Sequence, residues 1–168
     1  MARVLIAGCG YVGSRLAEFL VADGDVVFGL KRTPDALPES VEPVAADVTD
    51  PHSLTELPRA LDRMVYAVSP GGGDPARYRA AYVDGFANLL AALRAGSPGL
   101  ARTLLVSSTG AYGYADGRWV DEDTPPSPDG DRGRVLVEAE GKVRAGPPPG
   151  VVLRLGGIYG PGRTRTVE

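Results

Sequence analysis

Short apolar runs recur along this chain, and between them apolar positions fall three and four residues apart. Arg3–Gly8 holds one such run, too short for a helix and closed by glycine, so it predicts a strand, β1. Over Tyr11–Ala22 the positions Val12, Leu16, Phe19 and Leu20 share one helical face. Gly24-Asp25 turns into β2 at Val26–Leu30, and Val41–Ala46 predicts a short β3. Asp50 as a cap and Pro51 at a first helical position predict that Pro51–Leu61 holds a short helix. Met64–Val68 is β4. Arg77–Ala95 reads as one long helix with Tyr78, Tyr82, Phe86, Leu89, Leu90 and Leu93 on its apolar side. Thr103–Ser107 predicts β5, Arg134–Arg144 a helix, and Val151–Leu155 β6.

The strand runs alternate little between apolar and polar, as expected when both faces of a parallel sheet are covered. Strand–helix alternation predicts an α/β fold, a doubly wound parallel Rossmann sheet of order 3-2-1-4-5-6 with right-handed crossovers. A chain of 168 residues with no internal repeat suits one domain over 1–168. A ligand is expected over the carboxyl ends of the strands, at the switch between β1 and β4.

The segment after β1 fits that expectation. Gly8, Gly10 and Gly13 form a G-x-G-x-x-G between a strand and a helix. Gly8 permits the tight turn, Gly10 lets a pyrophosphate approach the backbone, and Gly13 lets helix and strand pack closely. The helix start, at Tyr11 and Val12, turns its N–H groups toward the phosphates. The motif points to a dinucleotide site, with a ligand-free β–α turn as the other reading.

Composition narrows the classes. The chain is 43% hydrophobic, enough for a buried core, and carries 18 Lys+Arg against 21 Asp+Glu, a formal net charge of -3. No basic tract stands out, so neither nucleic acid nor an anionic membrane is expected as a partner. The single cysteine, Cys9, excludes a disulfide framework and suits a reducing cytoplasm; its side chain is expected to pack. One His (His52) and one Cys argue against a zinc site, and no metal is expected. No signal peptide or membrane-length apolar run is visible, so a cytoplasmic location is expected.

The residues just after each strand carry the remaining chemistry. After β2 stand Lys31 and Arg32, where an NAD site usually places an acid for the ribose 2′-OH. Cations there suit a 2′-phosphate, so NADP is expected over NAD; they also fit ordinary solvated loop charges. After β3, Asp47 can bond the adenine edge while Val48 packs on its face, or Asp47 can cap a turn. After β4, Ser69 and Pro70 lead into Gly71–Gly73, small enough to pass beside the middle of a cofactor. After β5 comes the hydroxyl-rich Ser107-Ser108-Thr109-Gly110-Ala111-Tyr112-Gly113, suited to holding a substrate oxygen.

Three elements together resemble the extended short-chain dehydrogenase/reductase superfamily, the NAD-dependent epimerase/dehydratase-like proteins. They are the glycine loop, Ser107–Gly113, and Leu153-Arg154 through Tyr159-Gly160-Pro161-Gly162. Asp121-Glu122-Asp123-Thr124-Pro125 resembles an acidic-proline segment of the same family. The resemblance implies cofactor roles for Gly8, Gly10, Gly13, Arg32, Asp47 and Ser69. It implies a small-molecule substrate and a homodimer through the helices around 77–95 and 134–144. The family's Tyr-x-x-x-Lys pair is missing: Arg132 stands at the Tyr position and Leu136 at the Lys position. This departure resembles an atypical subgroup that also shows Gly-Arg at the same helix start, here Gly133-Arg134. Ser108 matches the family's Ser/Thr, with Thr109 beside it. Tyr112 is the first candidate for a phenolic acid/base, Arg134 for a group holding the ribose, and Arg154 for a buried structural partner. Family members continue past the Gly-Pro-Gly element into a seventh strand and a substrate region absent from residues 1–168, so the domain is expected to be incomplete at its C-terminus. The implied activity is that of an oxidoreductase or epimerase/dehydratase. A degenerate NADP-binding sensor and a partly folded fragment stand as alternatives.

Overall fold

The computed structural model of the chain describes residues 1–148 and 150–164. One six-stranded, wholly parallel sheet has the order β3-β2-β1-β4-β5-β6, as the strand–helix alternation predicts. The strands are β1 Arg3–Ala7, β2 Val26–Lys31, β3 Glu42–Ala45, β4 Arg63–Tyr66, β5 Arg102–Ser108 and β6 Val151–Leu155. The helices are α1 Tyr11–Ala22, α2 Pro75–Arg79, α3 Gly85–Gly96 and α4 Asp131–Ala145.

Two apolar clusters cover the two faces of the sheet. Along β1, Leu5 and Ala7 face a cluster with Phe86, Leu89 and Leu93 of α3 and Val135, Ala139 and Val143 of α4. Val4 and Ile6 face the opposite cluster with Ala17 of α1, packed by Leu16 and Leu20. Both strand faces are therefore apolar, which hides the period of two in the sequence.

Three local readings are corrected. The short helix expected within Pro51–Leu61 starts where predicted but is a single 3₁₀ turn, Pro51–Leu54, with Asp50 capping the His52 N–H at 3.0 Å. Pro58 cannot donate to a continuing helix, and Ala60 adopts a left-handed φ of 54°. Phe19 does not join the inner face of α1; it is 55% exposed, with the Arg15 guanidinium 4.4 Å above its ring. Gly13 and Ala17 take the inner positions. The long helix expected over Arg77–Ala95 begins at Pro75 and is interrupted by a π turn at Ala80–Asp84. Phe86 is buried and Tyr78 and Tyr82 are half-buried, so a second copy docking on these helices would use their other sides.

Candidate functional site

The glycine loop is shaped by two different demands. Gly8 has a φ of 83°, and a Cβ there would lie 2.5 Å from the Ala67 and Val68 backbone. A Cβ on Gly13 would lie 2.7 Å from the Gly8 carbonyl oxygen. The protein's own packing thus requires both glycines. Gly10 differs: a Cβ would meet nothing nearer than Gly8 O at 4.0 Å. Its bareness serves no internal contact, and it leaves the backbone open in front of α1, where a ligand's phosphates can approach. Cys9 between them is buried, and burial raises its thiol pKa, so it packs as an inert side chain.

This loop opens onto a cleft of about 950 Å³ across the carboxyl ends of the strands, within the range of small-molecule sites. Of the residues expected to hold a cofactor, Gly8, Gly10, Tyr11, Val12, Lys31, Arg32, Asp47, Val48, Ser69 and Pro70 line it. Gly13 lies beneath, buried in the helix–strand contact. Among the described residues neither Lys31 nor Arg32 makes an ion pair. Asp47 divides its carboxylate. Oδ1 accepts from the Thr49 N–H at 2.9 Å and the Thr49 hydroxyl at 2.7 Å, closing a turn, which leaves Oδ2 for the cleft. With Arg77 and Arg163, the described lining carries four cations against the single carboxylate of Asp47, in a chain whose formal net charge is -3. Such a cleft concentrates anionic ligands.

The expected catalytic residues separate. Ser108 lines the cleft and caps the 3₁₀ turn Thr109–Ala111, its Oγ accepting from the Gly110 N–H at 3.2 Å. A hydroxyl that accepts there still has its own proton to donate. Thr109, Tyr112 and Arg134 are not among the described residues lining the cleft. Tyr112 is buried, donates its hydroxyl to the Asp121 carbonyl at 2.7 Å, and carries the Arg154 guanidinium 4.5 Å above its ring. Arg134 pairs at the surface with Asp131 at 2.7 Å. Arg132 packs its guanidinium against Gly73, within 3.1–3.3 Å of where a Cβ would be, and Leu136 is buried.

Beneath Ser108 lies a charged network that the sequence reading had only in part. Glu140 on α4 is wholly buried. It accepts from Arg154 Nε at 3.0 Å and Nη2 at 2.6 Å, and from the Ser107 hydroxyl at 2.7 Å. The carboxylate raises the Arg154 guanidinium above its already high pKa. It ties α4 to the ends of β5 and β6 and so fixes the strand end that presents Ser108. Arg154 is the buried structural partner expected of it. The signal for Glu140 was one acid on the same helical face as Val135, Leu136, Ala139 and Val143.

Sequence reasoning also missed the outer walls. Tyr78 and Tyr82 line the cleft from the interrupted helix. At the π turn the Ala81 carbonyl accepts from the buried Tyr66 hydroxyl, and a Cβ on Gly85 would lie 2.6 Å from that hydroxyl. From the other side a hairpin closed by the Gly160–Arg163 bridge leans on Tyr11, bringing the Arg163 guanidinium 5.7 Å from the Tyr11 ring centroid. Neither feature leaves a periodic trace.

The profile of the NAD dependent epimerase/dehydratase family matches residues 4–167. The chain is 34% identical over 176 residues to protein YeeZ of Escherichia coli strain K12, covering 97% of this chain and 61% of that protein. It is 34% identical to a dTDP-6-deoxy-L-talose 4-dehydrogenase (NAD(P)(+)) of Kitasatospora kifunensis, over 96% of this chain and 54% of that enzyme. The chain therefore spans a little over half the length of these curated relatives. A solved structure from Methylobacillus flagellatus, provisionally called an NAD-dependent epimerase/dehydratase, superposes with a TM-score of 0.83 at 40% identity, over 98% of this chain and 57% of that one. A short-chain dehydrogenase/reductase superfamily protein from Agrobacterium tumefaciens, solved with bound NAD, superposes at 0.73 with 25% identity, over 90% of this chain and 48% of that one. Among the described residues no helix is long and apolar enough to cross a membrane, and no cluster of metal-ligating side chains occurs.

Proposed function

This chain belongs to the NAD-dependent epimerase/dehydratase family, and from that premise we propose that it binds NADP in preference to NAD and acts on a small hydroxylated or nucleotide-sugar-like compound. The observation that carries the reading is the cleft, which gathers the open Gly10 backbone, two cations after β2 and the Ser108 hydroxyl along one surface. When bound, the nicotinamide cofactor supplies or accepts a hydride. The glycine loop and the start of α1 hold the pyrophosphate, and Lys31 and Arg32 hold the 2′-phosphate. Asp47 Oδ2 and Val48 take the adenine, and Ser69 and Pro70 pass beside the cofactor's middle. Ser108 donates to the substrate oxygen and orients it. Thr109, Tyr112 and Arg134 have no contact with substrate in this reading, since the phenol of Tyr112 and the guanidinium of Arg134 are bonded elsewhere.

Calorimetric titration of the 168-residue chain with NADPH and then NADH tests the proposal. Binding of both with NADPH tighter is the expected result; no heat from either overturns it. A second reading, an NADP-binding protein without turnover, is favoured by Arg132 and Leu136 at the Tyr and Lys positions. Tight NADPH binding with no NADPH oxidation across aldehydes, ketones and nucleoside-diphosphate sugars would select it.

A further inference from the structure

A carbonyl oxygen whose carbon gains a hydride must also gain a proton. Ser108 alone is a poor source, because a hydroxyl near its ordinary pKa gives up its proton reluctantly. Three phenols line the cleft among the described residues: Tyr11, Tyr78 and Tyr82. Tyr11 stands over the glycine loop beside Arg163, at the phosphate end. Tyr78 is turned toward Arg132, whose guanidinium lies 5.9 Å from its ring centroid. Tyr82 lies within the π turn, which packs against α4, the helix whose Glu140 holds Ser107 beside Ser108. The Tyr66, Tyr112 and Tyr114 hydroxyls are donated to carbonyls, whereas those of the three cleft phenols, Tyr11, Tyr78 and Tyr82, have no hydrogen-bond partner among the described residues.

We infer that Tyr82 is a catalytic residue, the phenol that gives a proton to the substrate oxygen held by Ser108. The inference rests on the reading of the cleft given above. In the step the Tyr82 Oη–H bond breaks and its electron pair stays on the phenolate oxygen. The proton forms the new O–H bond on the substrate alkoxide, and water at the cleft mouth reprotonates the phenolate. In the opposite direction the phenolate takes the proton back. Burial raises the Tyr82 pKa, with the neighbouring Tyr78 adding to the rise, so the phenol keeps its proton until a strongly basic oxygen such as an alkoxide takes it. A π turn within a helix is a frequent mark of a functional position.

The test uses NADP⁺ and NADPH as probes on protein labelled with ¹³C at tyrosine Cζ. The chain has seven tyrosines, and Tyr82→Phe and Tyr78→Phe identify the two resonances of interest while keeping both rings. The oxidised nicotinamide is cationic, so a phenol facing the reacting carbon must ionise more easily beside NADP⁺ than beside NADPH. The expected result is a fall of about one pH unit in the Tyr82 midpoint, with Tyr78 moving less than half as far. A ring that merely packs would not distinguish the two redox states. If both cofactors bind by calorimetry and Tyr82 titrates identically with each, or Tyr78 responds more, the inference fails alone. If neither binds, the reading of the cleft falls and takes this inference with it.

Discussion

The two sides of the sheet are held by different means. At β1, four of five residues are buried and the glycine loop above them is locked by backbone against backbone, Gly8 on Ala67 and Val68. At β6 the same length of strand has no buried residue, and Val151 and Leu153 are 54% and 47% exposed. What secures that side is a side-chain network, Glu140 with Arg154 and Ser107. Backbone contacts admit no substitute, whereas side-chain contacts can be replaced in pairs. The glycine-loop side therefore tolerates fewer substitutions than the β6 side.

The largest effect that would sharpen this contrast comes from Glu140→Leu. It strands a guanidinium that is 9% exposed and costs about 3–5 kcal/mol in urea denaturation. The double change Glu140→Leu/Arg154→Leu should recover more than half of that loss, because an apolar pair of similar volume replaces a buried ion pair at little cost. Failure to recover would break the comparison. Gly8→Ala comes next, at about 2–3 kcal/mol, from a left-handed backbone and a clash with main chain. No change at Ala67 can relieve it, since the atoms met are backbone. Tyr66→Phe should cost about 1–2 kcal/mol by leaving the Ala81 carbonyl without its partner. Arg32→Asp should leave the melting temperature unchanged and weaken NADPH binding about tenfold or more relative to NADH. Equal losses with both cofactors would remove Arg32 from the 2′-phosphate.

The same contrast decides what could be read from the sequence. The strand order and glycine loop were legible because short apolar runs, turn residues and strand-end positions are local constraints. Val151–Leu155 and Tyr11–Ala22 match their predicted bounds. The cleft's floor was legible for the same reason, since Lys31 and Ser108 close strands and Asp47 and Ser69 follow strands within three residues. Its walls were not. Tyr82 comes into the cleft from an interrupted helix, and Arg163 from a two-residue hairpin, and neither irregularity leaves a periodic trace. Tyr112 was read by position, but its hydroxyl is bonded to a carbonyl nine residues away that no local pattern announces.

The π turn at Ala80–Asp84 sets the angular phase between the helical segments on either side of it. A regular helix advances about 100° per residue, so one surplus residue in a turn retards everything beyond it by that amount. Tyr78 ahead of the slip and Phe86 after it are eight residues apart, and a regular helix would stack them about 80° apart around the axis. A retardation of about 100° leaves them about 20° apart, so the slip brings both rings onto nearly one face, where Tyr78 packs against the core cluster that holds Phe86. Deleting one residue between Ala80 and Asp84 would heal the backbone ladder and still leave the two rings about 20° apart, seven regular steps along the axis. The irregularity works as a leap day, taking up one surplus residue without shifting the calendar of faces beyond it.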